Sequence, residues 1–151
     1  MTRRMWTIAL TASLALTVSR ALTAAGSGRL EVRLAVCDWT IGKSGDPAAL
    51  ALAGSLGLEG VQVSLNIKGG SLALTDPALR RAYLEAAERT GVAIASFCVG
   101  ELNNVPLKSD PRAETWLGEG IGIAKTMNVG LILVPFFGQA ELRNDAPGLD
   151  A

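Results

Sequence analysis

The sequence predicts an α/β protein built from four parallel βα units. Three observations support this prediction: four short apolar runs, an Asp-Pro pair ahead of three segments with helical periodicity, and a glycine or asparagine where each of those segments ends. Strands that alternate with helices form parallel sheets with right-handed crossover connections. The pattern begins at Leu34 and continues to the last residue, Ala151.

The apolar runs have the composition of strands. They are rich in Val, Ile and Phe and alternate only partly with polar residues, which is typical of strands buried on both faces of a parallel sheet. We therefore expect strands at LAVCDW (34–39), VQVSL (61–65), IASFCV (94–99) and LILVPFF (131–137).

Each Asp-Pro pair marks the start of a helix. The Asp side chain accepts a hydrogen bond from a free N–H at a helix start, and Pro at the first helical position has no N–H to leave unpaired. Apolar residues at positions i, i+3, i+4 and i+7 follow each pair. The pairs are Asp46-Pro47, Asp76-Pro77 and Asp110-Pro111, and the predicted ends are Gly57, Gly91 and Asn128, which suit a left-handed cap.

The third predicted helix contains an unusual run of glycines. Gly118, Gly120 and Gly122 fall within its periodic pattern. Each glycine is expected to weaken the helix by about 1 kcal/mol relative to alanine. The sequence offers no functional account of them.

The first 25 residues predict an export signal. Arg3 and Arg4 precede an apolar run (Met5–Val18) and the small residues ALTAAG, which suit cleavage after Ala24 or Ala25. The run is shorter than the ~20 residues that a bilayer span needs, so we expect no stable membrane span after cleavage. Because TRRMW loosely resembles a twin-arginine signal, both that route and the Sec route stay open. An uncleaved amphipathic anchor or a mistaken start codon are the alternatives.

The predicted organisation is a signal peptide (1–25), a linker (26–33) and one domain (34–151) with a periplasmic or otherwise extracytoplasmic location. Residues 1–25 hold three of the 14 basic residues and no acid, so the remainder carries an excess of acids. That balance argues against binding to nucleic acid, which needs a basic face.

The composition also excludes some catalytic classes. The chain has no histidine, which rules out a Ser-His-Asp triad, a Cys-His pair and any His-ligated metal. An oxidising compartment would permit a disulfide between Cys37 and Cys98. Because both cysteines lie in apolar strand-like runs, we favour two buried free thiols.

Two architectures fit four βα units. One is an open doubly wound sheet, and the other is half of a (β/α)₈ barrel, which typically has ~250 residues. A four-stranded parallel sheet leaves two unpaired edges. Pairing of these edges between copies would give a homo-oligomer.

Two longer segments carry a family resemblance. VCDWTIGKSGDPAALALAGSLGLEGVQVSL and LNNVPLKSDPRAETW resemble the sugar phosphate isomerase/epimerase family, whose members are xylose isomerase-like TIM barrels. The resemblance runs from about Leu34 to Asp150 and includes FFGQAELRND. It implies that the chain is the N-terminal half of a (β/α)₈ barrel.

The resemblance also implies a chemistry. Members isomerise or epimerise a sugar or sugar phosphate with a divalent metal (Mn, Mg, Co or Zn), which two Glu, one Asp and one His typically hold on strands five to eight. This chain matches none of those positions, so no catalytic residue and no metal ligand carries over. We therefore expect an inactive half. The alternative is a non-catalytic half-barrel that binds a sugar-like ligand or self-associates.

Barrel geometry selects the substrate-binding candidates. In a (β/α)₈ barrel, functional side chains lie at the carboxyl ends of strands and in the loops that follow. Trp39 and Phe137 could pack against a sugar ring, Gln62 and Asn104 could bond hydroxyl groups, and the cations could meet a phosphate or carboxylate. The candidates are Trp39, Lys43, Gln62, Asn104, Lys108, Phe137 and Arg143, with Asp38, Ser64, Asn66, Glu101, Asn103, Phe136 and Asn144 at the same edge.

Plainer roles compete at each position. The aromatic residues could belong to barrel packing, and the three cations could be solvated loop charges. Asp38 could cap a loop or pair with Lys43. Glu101 is the only acid near the end of the third predicted strand, and we favour a role other than metal binding for it.

Overall fold

The computed structural model describes residues 32–143 and 145–149. The apolar runs of the sequence form the strands of a parallel sheet, and a short antiparallel hairpin lies between the second and third of them. In chain order the strands are β1 (Ala35–Cys37), β2 (Gly60–Ser64), β3 (Ile67–Lys68), β4 (Ser71–Leu72), β5 (Ala93–Cys98) and β6 (Ile132–Leu133). The predicted export signal lies outside the described residues.

The helices alternate with the strands of the main sheet. They are α1 (Ala48–Ser55), α2 (Pro77–Thr90), α3 (Pro111–Thr126) and the short α4 (Ala146–Leu149). Turns of 3₁₀ helix occur at Ala73–Thr75, Gly100–Asn103 and Gly138–Ala140. The predicted α/β class with four parallel strands is confirmed. Within the described part of the chain, no helix is both long enough and apolar enough to cross a membrane.

The Asp-Pro pairs behave as helix starts. The carboxylate of Asp76 accepts a hydrogen bond from the Ala78 N–H at 2.8 Å, and that of Asp110 accepts one from the Arg112 N–H at 3.0 Å. Asp46 makes the same bond, 2.9 Å from the Ala48 N–H, although α1 begins one residue later than predicted. The predicted helix ends are also confirmed, because Gly57, Gly91 and Asn128 all have positive φ angles, of 75°, 69° and 55° respectively.

The strands of the main sheet lie side by side in the order in which they occur along the chain. Its strand order is β1-β2-β5-β6, and every neighbouring pair is parallel. The order therefore follows the chain, without the reversal that defines a doubly wound sheet. Both edges, β1 and β6, have one strand neighbour each among the described residues.

The two faces of the sheet differ in their side chains. Val61, Val63 and Phe97 are fully buried on one face, in a core cluster with residues of α1, α2 and α3 such as Leu50 and Tyr83. Because side chains alternate along a strand, Gly60, Gln62 and Ser64 lie on the opposite face. A Cβ on Gly60 would lie 3.1 Å from the Cβ atoms of both Ala35 and Ala95. The core thus lies on one side of the sheet, and the other side carries small and polar residues.

The β3–β4 hairpin was not predicted. Its two central residues, Gly69 and Gly70, have φ angles of 63° and 92°, as the tight two-residue hairpin turn requires. The Trp116 indole N–H donates to the Gly70 carbonyl at 2.8 Å, and the Leu72 N–H donates to the Glu119 carboxylate at 2.8 Å. These bonds hold the hairpin against α3. The sequence signal was the Gly-Gly pair between two short apolar segments.

Candidate functional site

A cleft of about 590 Å³ lies at the carboxyl ends of the parallel strands. Each strand of the sheet contributes to it, because the carboxyl ends of parallel strands meet at one edge. Its lining residues come from the carboxyl end of each strand or from the segment that follows it. They are Trp39 and Ser44 for β1; Ser64, Leu65, Asn66 and Ile67 for β2; Cys98, Gly100, Glu101 and Asn103 for β5; and Leu133, Pro135 and Phe137 for β6. The volume is within the range of small-molecule sites.

Two aromatic side chains form the walls of the cleft. Trp39 lies in the loop after β1 and is 45% exposed, and Phe137 lies after β6 and is 67% exposed. The backbone N–H of Phe137 donates to the Asn103 side-chain oxygen at 3.0 Å, which ties the loop after β6 to the loop after β5. The structure therefore brings both predicted aromatic candidates to the same cleft.

Asp38 holds the loop that carries Trp39. Its carboxylate is fully buried and accepts three hydrogen bonds: from the Gly45 N–H at 2.9 Å, the Ser64 N–H at 2.8 Å and the Ser64 hydroxyl at 2.5 Å. The loop after β1 is thereby fastened to the end of β2. Of the two roles considered for Asp38, the structure shows the capping of a loop.

Gln62 lies below the cleft, within the sheet. Its amide N–H donates to the Ser96 hydroxyl at 2.8 Å, and its amide oxygen accepts from the Cys37 thiol at 3.3 Å. These bonds run across β1, β2 and β5. The amide that was a candidate for a sugar hydroxyl therefore bonds the chain itself, and Gln62 is not among the residues that line the cleft.

The three candidate cations bond to the chain's own oxygen atoms. The Lys43 ammonium lies 3.1 Å from the Asp46 carboxylate, and the Arg143 guanidinium lies 3.4 Å from that of Glu141. Lys108 pairs with Asp145 and also donates to the Glu141 carbonyl at 3.0 Å, so it joins the loop after β5 to that after β6. No cation is among the described residues that line the cleft.

Two other candidates, Asn104 and Phe136, are described but do not line the cleft. Asn104 donates to the Glu101 carboxylate at 3.5 Å, so it supports a lining residue. Phe136 is exposed beside Phe137, but the cleft lining does not include it. Asn144 lies outside the described residues.

Sequence reasoning missed the apolar lining. Leu65, Ile67, Leu133 and Pro135 flank the predicted polar candidates and complete the cleft. Leu65, Leu133 and Pro135 belong to runs that were predicted as strands, but only Leu65 stands at the end of its run, where a signal was available. Ile67 depends on the unpredicted hairpin.

The two cysteines are free thiols, as favoured, but only Cys98 is buried as predicted, and Cys37 is half-buried. Cys37 lies opposite Gln62 in β2, and Cys98 lies opposite Ser64, so one strand and two register positions separate them. With strands ~4.8 Å apart, their Cα atoms are more than about 9 Å apart, beyond the ~7 Å limit for a disulfide. Burial, followed by the nearby Cys37 and Asp38, raises the pKa of Cys98 to about 11, so its thiol is protonated at neutral pH.

These residues do not fit a divalent metal. Within residues 32–143 and 145–149, no group of three or more Cys, Asp or Glu side chains lies close enough to hold an ion. Glu101 is the one carboxylate of the described cleft lining, and Asp38 already accepts three hydrogen bonds. We derive no chemical step through a metal from this set of donors.

Comparison with known proteins yields no assignment. No protein-family model matches the chain. A search of curated proteins likewise finds no match.

Proposed function

We propose that residues 34–149 form the N-terminal half of a (β/α)₈ barrel of the sugar phosphate isomerase/epimerase kind, and that this half contributes the sugar-contacting surface of its site. Three features support the proposal: the strand order that follows the chain, the core on one side of the sheet, and the family resemblance of the sequence. In a barrel, helices cover the outer face of the sheet and side chains fill the inner face. The small and polar face of the sheet would be the inner one.

The position of the cleft is the observation that carries the proposal. It lies at the carboxyl ends of all four strands, where barrel enzymes place their active sites. Trp39 and Phe137 offer apolar rings to the C–H faces of a sugar. Asn66 and Asn103 offer amide groups to its hydroxyl groups, and Ser64, whose proton is donated to Asp38, offers an acceptor oxygen. A few polar groups on an apolar lining are typical of a small-molecule site.

The described residues would bind and orient a sugar rather than transform it. Proton transfer between adjacent carbons needs a positioned acid or base within hydrogen-bonding reach of each carbon's proton. Glu101 is the only carboxylate of the described cleft lining, and the described donors do not assemble a metal site. Isomerisation or epimerisation would therefore require residues beyond this set.

A direct binding measurement tests the proposal. D-xylose, D-glucose and D-fructose would be titrated into the purified chain by isothermal calorimetry, and bound sugar protons would be located by saturation-transfer NMR. We expect binding that weakens about tenfold, or 1.4 kcal/mol, in Trp39→Ala. Leu84→Ala is the matched control, because Leu84 is 44% exposed on α2 and does not line the cleft. Binding that survives Trp39→Ala unchanged would place the sugar elsewhere.

A second candidate function is self-association without catalysis. Among the described residues β1 and β6 have one strand neighbour each, and such edges can pair with a second copy; Leu34 and Leu131 beside them are 60% and 61% exposed. Analytical ultracentrifugation separates the two ideas. A concentration-independent monomer that binds sugar would argue against self-association, whereas a stable dimer with no affinity for sugars would favour it over the first proposal.

A further inference from the structure

The cations near the cleft are already engaged. Lys43 and Arg143 pair with carboxylates of their own loops, and Lys108 is held by Asp145 and the Glu141 carbonyl. The pKa of Arg112 is raised mainly by its hydrogen bond to Asp110 and also by the charge of Glu101, and its guanidinium is paired with Asp110 at 2.6 Å. Lys68 follows the lining residue Ile67 in β3, and successive side chains of a strand point to opposite faces, so Lys68 is directed away from the cleft. Phosphate recognition by basic side chains is therefore not provided by the described cleft.

The helix N-termini, which are another common binding site for phosphate, already have acceptors of their own. A helix N-terminus binds phosphate through its free N–H groups and its positive dipole end. Here α1, α2 and α3 begin with carboxylates that already accept those hydrogen bonds and place a negative charge at that end. A phosphate would have to displace Asp46, Asp76 or Asp110 and would meet the charge of the carboxylate.

Glu101 is the only charged residue among those that line the described cleft. It lies in the 3₁₀ turn after β5, on the same lining as Asn103 and Phe137. A carboxylate accepts hydrogen bonds from sugar hydroxyl groups. The same carboxylate repels a phosphate ester, which carries close to two negative charges at neutral pH.

From these contacts we infer that the cleft selects uncharged sugars over sugar phosphates, and that Glu101 is the residue that sets this selectivity. The inference rests on the proposed function and names its substrate class. Lys43, Lys108 and Arg143 bond to oxygen atoms of the chain, so the inference does not use them as phosphate ligands.

Paired titrations test the inference. D-xylose, D-glucose and D-fructose would each be titrated beside their own monophosphate esters, with inorganic phosphate as a competitor. We expect the neutral sugar to bind at least about tenfold more tightly than its ester, and inorganic phosphate to leave sugar binding unchanged. Esters that bind as tightly as the neutral sugars, and that inorganic phosphate displaces, would overturn the inference and leave the proposed function standing.

A variant without the charge of Glu101 tests whether this residue sets the selectivity. Glu101→Gln keeps the shape and the hydrogen-bonding capacity of the side chain and removes its charge. We expect the ratio of ester to neutral-sugar affinity to rise about tenfold in Glu101→Gln, and to stay constant in Glu114→Gln, an acid of α3 that does not line the cleft. An unchanged ratio in Glu101→Gln would refute the role of this residue. Failure of every sugar and every ester to bind would refute the proposed function itself, and the inference with it.

Discussion

Removal of the Asp38 carboxylate should destabilise the fold more than any conservative change of the same site. The carboxylate accepts hydrogen bonds from the backbone N–H groups of Gly45 and Ser64 and from the Ser64 hydroxyl. In Asp38→Ala both N–H groups lose their acceptor, whereas the hydroxyl can rotate to another partner. A buried donor without a partner costs about 1–3 kcal/mol, so we expect a loss of about 4 kcal/mol in the free energy of unfolding. Small domains have about 5–15 kcal/mol in total.

Two companion variants give this estimate its control. In Asp38→Asn the amide oxygen can still accept from both N–H groups, and the new NH₂ group can donate to the Ser64 oxygen. The loss is then the difference between charged and neutral hydrogen bonds, about 2 kcal/mol. Ser64→Ala removes only the hydroxyl and should cost about 1 kcal/mol. The expected order of destabilisation is Asp38→Ala, then Asp38→Asn, then Ser64→Ala.

Urea unfolding followed by far-ultraviolet circular dichroism measures these differences. With a slope of about 2 kcal/mol per molar urea, Asp38→Ala should lower the midpoint by about 2 M and Ser64→Ala by about 0.5 M. The reasoning is refuted if Asp38→Ala and Ser64→Ala have the same midpoint. It is also refuted if Asp38→Asn unfolds at lower urea than Asp38→Ala, because the carboxylate would then not serve as a buried acceptor.

Three further predictions concern a helix cap, a helix interior and the thiols. The pKa of Asp46 is lowered from its ordinary value of 3.8 by the N–H of the first α1 residue and by Lys43, so its stabilisation is complete above pH 3.8 and is lost as the pH falls through the lowered pKa. Asp46→Ala should lower the free energy of unfolding by about 1 kcal/mol at neutral pH and by progressively less below pH 3.8. Urea titrations at several pH values measure this loss, and a loss that does not change with pH would contradict the capping role. Gly122→Ala should raise the free energy of unfolding by about 1 kcal/mol, because alanine favours a helix over glycine and a Cβ there meets nothing within 4 Å. Calorimetry that shows no rise would contradict an open helix surface at this position. Cys98 should react with a thiol reagent more slowly than Cys37, and oxidised protein should show no intramolecular disulfide by mass spectrometry; a bond between them would contradict the strand order.

Local sequence signals predicted the helices and the main strands well. Asp-Pro carries its own physical reason, since one side chain supplies the acceptor and the next residue lacks the donor, and all three pairs behave accordingly. The strands are shorter than the apolar runs: β6 has two residues of a predicted seven. Pro135 has no N–H for a strand ladder, and strand length also depends on neighbours that a sequence window does not contain.

The sequence predicted the edge of the sheet at which the candidate site lies, but not the hydrogen bonds and ion pairs that its side chains make. Trp39 and Phe137 reach the cleft because the direction of parallel strands fixes which ends meet. Lys43, Lys108 and Gln62 have the right position along the chain but bond to oxygen atoms of other residues. Such pairings depend on side-chain reach across loops, which residue type and spacing do not encode.

The walls and the floor of the cleft differ in how firmly they are held. Trp39 follows β1 and Phe137 follows β6, the edge strands, whereas Ser64 and Cys98 end the central strands β2 and β5. Edge strands have one hydrogen-bonding neighbour, so their amide protons should exchange with solvent sooner than those of the centre. A ligand that contacts both Trp39 and Phe137 would link the loops after the two edge strands and so stabilise both edges of the sheet. At a hundred times its dissociation constant it would add about 2.7 kcal/mol to the stability, and slower hydrogen exchange would appear first in β1 and β6.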